Sequence, residues 1–323
     1  MSKLIYITRR ISNSGIQLLK DKGYTIDIGE KEEAPTKDEL RNILSQKPYD
    51  AVISFLTDKI DGDIFDVCPT ANIFAQYSVG FDNVDVVEAK KRNIVVTNTP
   101  GCASVAVAEH TVALILSLTT RTIEGDLFMR EGKYKGWHPE LLIGTDLSGK
   151  TIGIVGSGAI GSNVASMLHN GFNCPILYTD IKRNFIMEES CGATFVDKET
   201  LFKTSDIVSL HIPLLSSTHH FVDKELLSKM KSTAFIINTS RGPVIDEVAL
   251  VDALKRDVIR GAGLDVFEFE PDLTAELNTL PDIVLTPHIA SARESVRQKM
   301  AEICAQNVIS FFETGKALNE VQI

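Results

Sequence analysis

Apolar residues in this chain come in short unbroken runs, separated by longer stretches in which they recur at helical spacing. "KLIYIT" reads as a strand, and "SNSGIQLLKDKG" as a helix with Ser12 or Asn13 as its cap and Gly23 past its end. The strand "YTIDI", the helix "TKDELRNILSQ", the strand "DAVISF", a short helix near "GDIFDVC" and the strand "NIFAQYS" follow. A helix around "NVDVVEAKKR" then leads into "IVVTN". Strands that are apolar throughout and alternate with helices predict a parallel sheet covered on both faces. The pattern breaks at Thr99-Pro100-Gly101, two turn-formers in succession.

A long helical segment is predicted from Ser104 to Arg130, followed by the irregular "GKYKGWHPELLIGTDLSGK". A second βα series runs from Thr151 to about Ile289, with strands "TIGIV", "ILYT", "DIVSLHI", "AFIINTS", "GAGLDV" and "IVLT". The last helix, in "SARESVRQKMAEICAQNVISFFETG", has no sheet of its own to cover and is expected to return to the first. The chain is therefore read as α/β with two doubly wound parallel-sheet domains, one inserted in the other. Residues 1–100 and 291–323 form the outer domain and residues 101–290 the inserted one. A ligand is expected in the cleft between them, a common place for small-molecule sites.

Composition narrows the classes. A length of 323 residues exceeds one hydrophobic core, which fits two domains. With 44% hydrophobic and 24% charged residues, the chain has the make-up of a folded soluble protein. A net charge of −10 argues against nucleic acid or an anionic membrane as partner. The five cysteines are scattered, odd in number and form no C-x-x-C, which predicts reduced thiols and a cytoplasmic location. "MSKLIYITRR" is too brief for a signal peptide, and "VAVAEHTVALILSL" is interrupted by Glu109 and His110, so it reads as a buried helix.

Chemistry first shows at "TIGIVGSGAIG". Gly156, Gly158 and Gly161 form G-x-G-x-x-G directly after a strand and at the start of "AIGSNVASMLHN". The first glycine permits the tight turn, the second lets backbone approach a pyrophosphate, and the third lets helix pack on strand. The helix N-terminus offers free N–H groups and positive dipole to phosphate. Asp180 ends the next strand, 19 residues after Gly161, where a carboxylate can accept hydrogen bonds from both ribose hydroxyls and repel a 2′-phosphate. This predicts NAD over NADP, a preference softened by Lys182 and Arg183.

A second signal is spread along the chain. "INTSRGPVID" places Arg241 just past a strand end, "GLDVFEFEP" places Glu268 and Glu270 past another, and "VLTPHIAS" places His288 after a third. Ligands collect at the carboxyl ends of strands in open parallel sheets. Singly, a turn arginine, a Glu-rich loop and a lone histidine are surface and structural features. Behind a dinucleotide loop they supply a cation, a carboxylate and a titrating base, which is the equipment for reducing a keto acid. Strand alternation cannot choose between Glu268 and Glu270, because residues two apart share a face.

These stretches resemble the D-isomer-specific 2-hydroxyacid dehydrogenases, most of all the glyoxylate and hydroxypyruvate reductases. "SVGFDNVD" at 78–85, "VTNTPG" at 96–101, "VAEHTVALIL" at 107–116 and "LSGKTIGIVGSGAIG" at 147–161 carry the likeness, with "NTSRGPVID", "GLDVFEFEP" and "TPHIAS". The resemblance implies a Rossmann NAD-binding domain inserted into a flavodoxin-like substrate domain, and a homodimer formed through the 104–130 region. It implies that Arg241 binds the substrate carboxylate and carbonyl, that Glu270 pairs with His288 and favours its protonated form, and that His288 is the acid–base. Glu270 is preferred over Glu268 because it directly precedes proline. Backbone N–H groups around Ser78, Val79 and Gly80 would hold the substrate carboxylate, and Arg241 and His288 complete the implied substrate contacts. The NAD contacts implied are Gly156, Gly158, Ala159, Ile160, Gly161 and Asp180, then His211, Ile212, Pro213, Thr239, Ser240, Arg241, Asp265, His288 and Ala290. Ala159 departs from the Arg or His of many relatives, so one pyrophosphate contact is expected to be missing.

Other chemistries fall away. His219-His220 lies in a polar turn with no H-E-x-x-H or cysteine partner, so no metal is expected, and no G-x-x-x-x-G-K-[ST] is present. The alternative from another class is an NAD-binding interaction protein similar to the C-terminal-binding corepressors, which carry extra terminal segments not expected here. Substrate selectivity is assigned to Phe55, Leu56 and Thr57, and the sequence leaves open whether His110 and Trp137 face the site or pack.

Overall fold

The computed structural model describes residues 2–322. The elements run β1 (Leu4–Ile7), α1 (Asn13–Asp21), β2 (Thr25–Ile28), α2 (Lys37–Ser45), β3 (Ala51–Ser54), α3 (Gly62–Val67), β4 (Ile73–Gln76), α4 (Val86–Lys91) and β5 (Val95–Thr97). Next come α5 (Ser104–Thr120), α6 (Thr122–Arg130), β6 (Ile152–Val155), α7 (Ala159–Phe172), β7 (Ile176–Thr179), α8 (Phe185–Cys191), β8 (Thr194–Phe195), α9 (Lys198–Thr204) and β9 (Ile207–Leu210). The chain closes with α10 (Lys224–Ser228), β10 (Phe235–Asn238), α11 (Glu247–Lys255), β11 (Gly261–Leu264), β12 (Ile283–Leu285) and α12 (Glu294–Thr314). Two compact units result, one of residues up to Ala103 with those from Ala292 on, the other Ser104–Ser291.

The first unit holds a parallel five-stranded sheet in the order β2-β1-β3-β4-β5, the flavodoxin-like arrangement. Residues of β3 and β4 are buried on both faces, as their uninterrupted apolar runs predict. Helix α2 begins with a capping box, Thr36 and Glu39 each accepting the other's backbone N–H. Ser12 takes the cap position of α1 without a side-chain bond. Helix α12 packs along α1 and β4. Its buried Asn307 donates to Asn98 O and accepts from Asn319 N, fixing the chain end to this unit.

The second unit holds a parallel seven-stranded sheet, β12-β11-β10-β9-β6-β7-β8, the Rossmann order extended by one strand. Helix α5 is apolar almost all round and packs against β10, β11, β12 and α7. The segment read as one helix from Ser104 to Arg130 breaks at Arg121, whose φ of 56° is left-handed. Thr119 and Thr120 donate their hydroxyls back to Ile115 O and Leu116 O, which weakens the end of α5. Arg121 then turns its guanidinium onto Glu124. The hydrophobic pattern does not separate the short β8 and helices α8 to α11, which are too brief to show a period. Among the described residues no helix is long and apolar enough to cross a membrane.

Candidate active site

Strand register sets the site. Val155, Thr179, Leu210, Asn238, Leu264 and Leu285 lie in one row across the second sheet. The residues that follow them, Gly156, Asp180, His211, Thr239, Asp265 and Thr286, therefore leave the sheet at one level, along its carboxyl edge. Ile212 and Pro213 continue from His211, Ser240 and Arg241 from Thr239, and His288 and Ala290 from Thr286. Residues that the sequence scatters over some 130 positions, from Gly156 to Ala290, share one edge.

The glycine loop tests whether a dinucleotide fits. Gly156 has a φ of 95°, and a Cβ there would lie 2.6 Å from His211 O. A Cβ on Gly161 would lie 2.0 Å from Gly156 O, so this glycine closes helix on loop. A Cβ on Gly158 would meet nothing within 4 Å, so the space above the loop is open there. Ala159, Ile160 and Gly161 form the first turn of α7, whose N–H groups have no partner within the helix. The set fits a pyrophosphate laid on a helix N-terminus.

Asp180 does more than the sequence implied. Its Oδ2 accepts from Ser157 N at 2.6 Å and Ser157 Oγ at 2.9 Å, and Oδ1 from Ile181 N at 2.6 Å. The carboxylate thus fixes the glycine loop to the end of β7. Arg183 is engaged elsewhere, donating to Glu188 at 2.7 and 3.0 Å and lying over the Phe185 ring. His211 Nε2 lies 2.9 Å from Ser209 Oγ, and burial of the imidazole lowers its pKa to about 3, although part of the residue remains exposed. The ring is therefore neutral throughout the neutral pH range.

The three proposed catalytic side chains are held by different devices. His288 Nδ1 lies 2.9 Å from Glu270 Oε2, and Glu270 Oε1 accepts from Phe267 N at 2.9 Å. A carboxylate only accepts, so Nδ1 carries the hydrogen and Nε2 is left for exchange. Glu268 points elsewhere. Its Oε1 lies 2.6 Å from His220 Nε2, and it and Glu247 each accept the other's backbone N–H. Arg241 follows a turn braced by buried Asn238, whose Oδ1 accepts from Ser240 N and Oγ and whose Nδ2 donates to Arg241 O. A Cβ on Gly242 would lie within 2.4 Å of the Phe267–Glu268 peptide, so this glycine seats the Arg241 turn on the loop that carries Glu270.

Asp265 anchors the histidine loop. Its carboxylate accepts from Thr286 Oγ1, Ile289 N and Ala290 N at 2.6–2.8 Å, and its carbonyl from His288 N. His288 has a φ of 53°, and these bonds hold it there. Burial alone would raise the Asp265 pKa, but His110, Thr286 and the two amides outweigh it, leaving the carboxyl below its ordinary value. His110, left open by the sequence, packs here, with Nε2 2.9 Å from Thr286 Oγ1 and 3.4 Å from Asp265 Oδ1. Thr111 Oγ1 likewise meets Thr239 Oγ1 at 2.9 Å. Trp137 is 82% exposed.

In the first unit, Ser78, Val79 and Gly80 follow β4. Their carbonyls are all occupied, by Thr99 N, Asn98 Nδ2 and Ser78 Oγ. Because a trans peptide sets N–H opposite C=O, the Val79, Gly80 and Phe81 amides face the other way and can meet an anion. Phe55, Leu56 and Thr57 follow β3 at the point where strand order reverses, between β1 and β3. Buried Asp58 accepts from Phe55 N and Thr8 Oγ1, and Asn83 Nδ2 donates to Phe55 O and Asp58 O. Arg9 lies over the Phe55 ring, 4.4 Å from its centroid, and donates to Thr57 Oγ1. Neither Arg9 nor Asn83 stands out in the sequence, since each acts through a partner distant along the chain.

Residues 112–290 match the family model of the D-isomer specific 2-hydroxyacid dehydrogenase NAD binding domain. The chain is 44% identical over 317 residues to a glyoxylate reductase of Thermococcus litoralis, covering 96% of this chain and 94% of the relative. A crystal structure of a Thermus thermophilus protein superposes with a TM-score of 0.92 at 36% identity, covering 99% of this chain and all of the other. An NADPH-dependent glyoxylate/hydroxypyruvate reductase of Sinorhizobium meliloti, solved with NADP and malonate, superposes with a TM-score of 0.85 at 30% identity over 99% and 97% of the two chains.

Proposed function

The chain belongs to the D-isomer-specific 2-hydroxyacid dehydrogenase family and is an oxidoreductase acting on CH–OH groups, and from that premise we propose that it reduces glyoxylate and hydroxypyruvate with NADH. The observation that carries the reading is the His288–Glu270 pair at the sheet edge that also bears the glycine loop. A bound dihydronicotinamide supplies the hydride for the keto carbon. His288 Nε2 donates a proton to the keto oxygen, and in the reverse direction accepts one from the hydroxyl. Glu270 holds the ring in the tautomer that leaves Nε2 for this exchange. The Arg241 fork meets the substrate carboxylate and carbonyl, a planar match that lysine lacks. The amides around Ser78, Val79 and Gly80 are donors of the kind an anion takes.

NADH is the proposed donor because Asp180, fixed at the end of β7, is the residue proposed to meet the ribose, and Arg183 is committed to Glu188. The NADPH-dependent relative makes this the point to test. Asp180→Ala also releases Ser157, so binding of both cofactors weakens, and the informative quantity is the ratio of kcat/KM for NADH and NADPH. That ratio should fall in the variant. A wild type that prefers NADPH rejects the assignment. With NADH fixed, glyoxylate and hydroxypyruvate should exceed pyruvate and longer keto acids in kcat/KM. Cofactor binding without turnover of any keto acid would favour the corepressor-like alternative. The protein is further proposed to be cytoplasmic, on the scattered, odd-numbered cysteines of its sequence, and to work as a homodimer.

A further inference from the structure

Outside the proposed catalytic set, the fold completes a constellation that the sequence shows only in part. His219 and His220 stack with ring centroids 4.1 Å apart and an interplanar angle of 32°. Glu268, distant along the chain, brings its Oε1 to 2.6 Å from His220 Nε2. One ligand atom from each of the three lies within 4.8 Å of the others. Glu268 is mostly buried and its Oε2 is held by Glu247 N, so its orientation is set in advance, as metal-binding carboxylates usually are.

We propose that His219, His220 and Glu268 bind a divalent ion of the Zn²⁺ class, tying the turn at 215–220 to the loop that bears Glu270. Two imidazole nitrogens and one carboxylate oxygen suit Zn²⁺, Co²⁺ or Ni²⁺, whereas Mg²⁺ and Ca²⁺ take oxygen shells. The fourth position falls to water. Exposed His219 swings in freely, while His220 and Glu268 exchange their direct bond for bonds of about 2.0–2.2 Å to a common ion. The site is independent of the reaction proposed above.

The test uses the full chain, stripped with chelator and titrated with CoCl₂, then ZnCl₂. One Co²⁺ per chain should bind with visible d–d absorption, be displaced by one Zn²⁺ and not by Mg²⁺, and raise Tm. His219→Ala should weaken binding at least about tenfold, the scale on which losing even a supporting contact acts at metal sites. His138→Ala, an exposed histidine elsewhere, should not. Glu268→Gln should also weaken it, but it disturbs Glu247 as well, so His219→Ala decides. Absence of stoichiometric binding overturns the proposal, as does Co²⁺ held equally tightly by His219→Ala.

Discussion

Glu268 and Glu270 are chemically identical, two positions apart, and the structure distinguishes them by what each already holds. Glu270 reaches His288, whereas Glu268 is spent on His220 and the start of α11. Glu270→Gln should therefore lower kcat in both directions with a smaller effect on KM, and Glu268→Gln should leave kcat near wild type. His288→Ala should cost about 10²–10⁴-fold, the usual worth of a general acid–base. Steady-state kinetics on the three variants decide it, and a Glu268→Gln defect exceeding that of Glu270→Gln would reverse the assignment. The sequence offered both glutamates and separated them only by the proline that follows Glu270. Their partners lie too far along the chain for periodicity to see. Asp265 makes the same point through pH. Its folded carboxyl lies below its ordinary value of 3.8, so the stability it contributes is present above that value and lost as pH falls through the folded one. Asp265→Asn should destabilise the protein at pH 7 by about 1–3 kcal/mol, the cost of unmet buried donors. Urea melts from pH 7 to 2.5 should show the gap between the two proteins closing below pH 4, and a constant gap contradicts the reading.

At the scale of elements, the strand–loop–helix at residues 152–172 was legible because each glycine has a separate physical reason. Gly161 and Gly158 should accordingly fail in different ways. In Gly161→Ala the new methyl meets Gly156 O at 2.0 Å, so α7 must shift and Tm should fall. In Gly158→Ala the methyl meets no protein atom, so Tm should hold while NADH affinity falls, because the methyl stands where phosphate is proposed to lie. Paired melts and cofactor titrations separate these, and unchanged cofactor affinity in Gly158→Ala would remove the phosphate from that position. Less was legible where elements are short or where a side chain reshapes backbone. The break at Arg121 comes from threonine hydroxyls bonding back to carbonyls, within a run whose apolar spacing continues unbroken into α6. The brace of Asn238 on the Arg241 turn and the seating of Gly242 on the Phe267–Glu268 peptide likewise belong to tertiary contact. Hydrophobic period cannot encode either.

On the scale of the whole molecule, α6 poses a problem that one chain does not solve. None of its residues is buried, yet Ile123, Leu127 and Met129 are apolar and exposed, and Trp137 and Ile143 beyond it are exposed as well. Scattered exposed apolar residues are ordinary, but five within one short stretch of chain suit a proposed interaction surface. A second copy of the chain is the proposed occupant, which leaves the face to a symmetric contact. The net charge of −10 is compatible with this, because the stretch Thr122–Arg130 carries two acidic residues and one basic one, and local repulsion is small. Light scattering at micromolar concentration should return twice the chain mass. Leu127→Glu with Met129→Glu should return the single-chain mass with the far-UV circular dichroism intact, since neither side chain is part of the core. A wild type that runs as one chain under those conditions would refute the dimer, and a double variant that stays dimeric would move the contact away from α6.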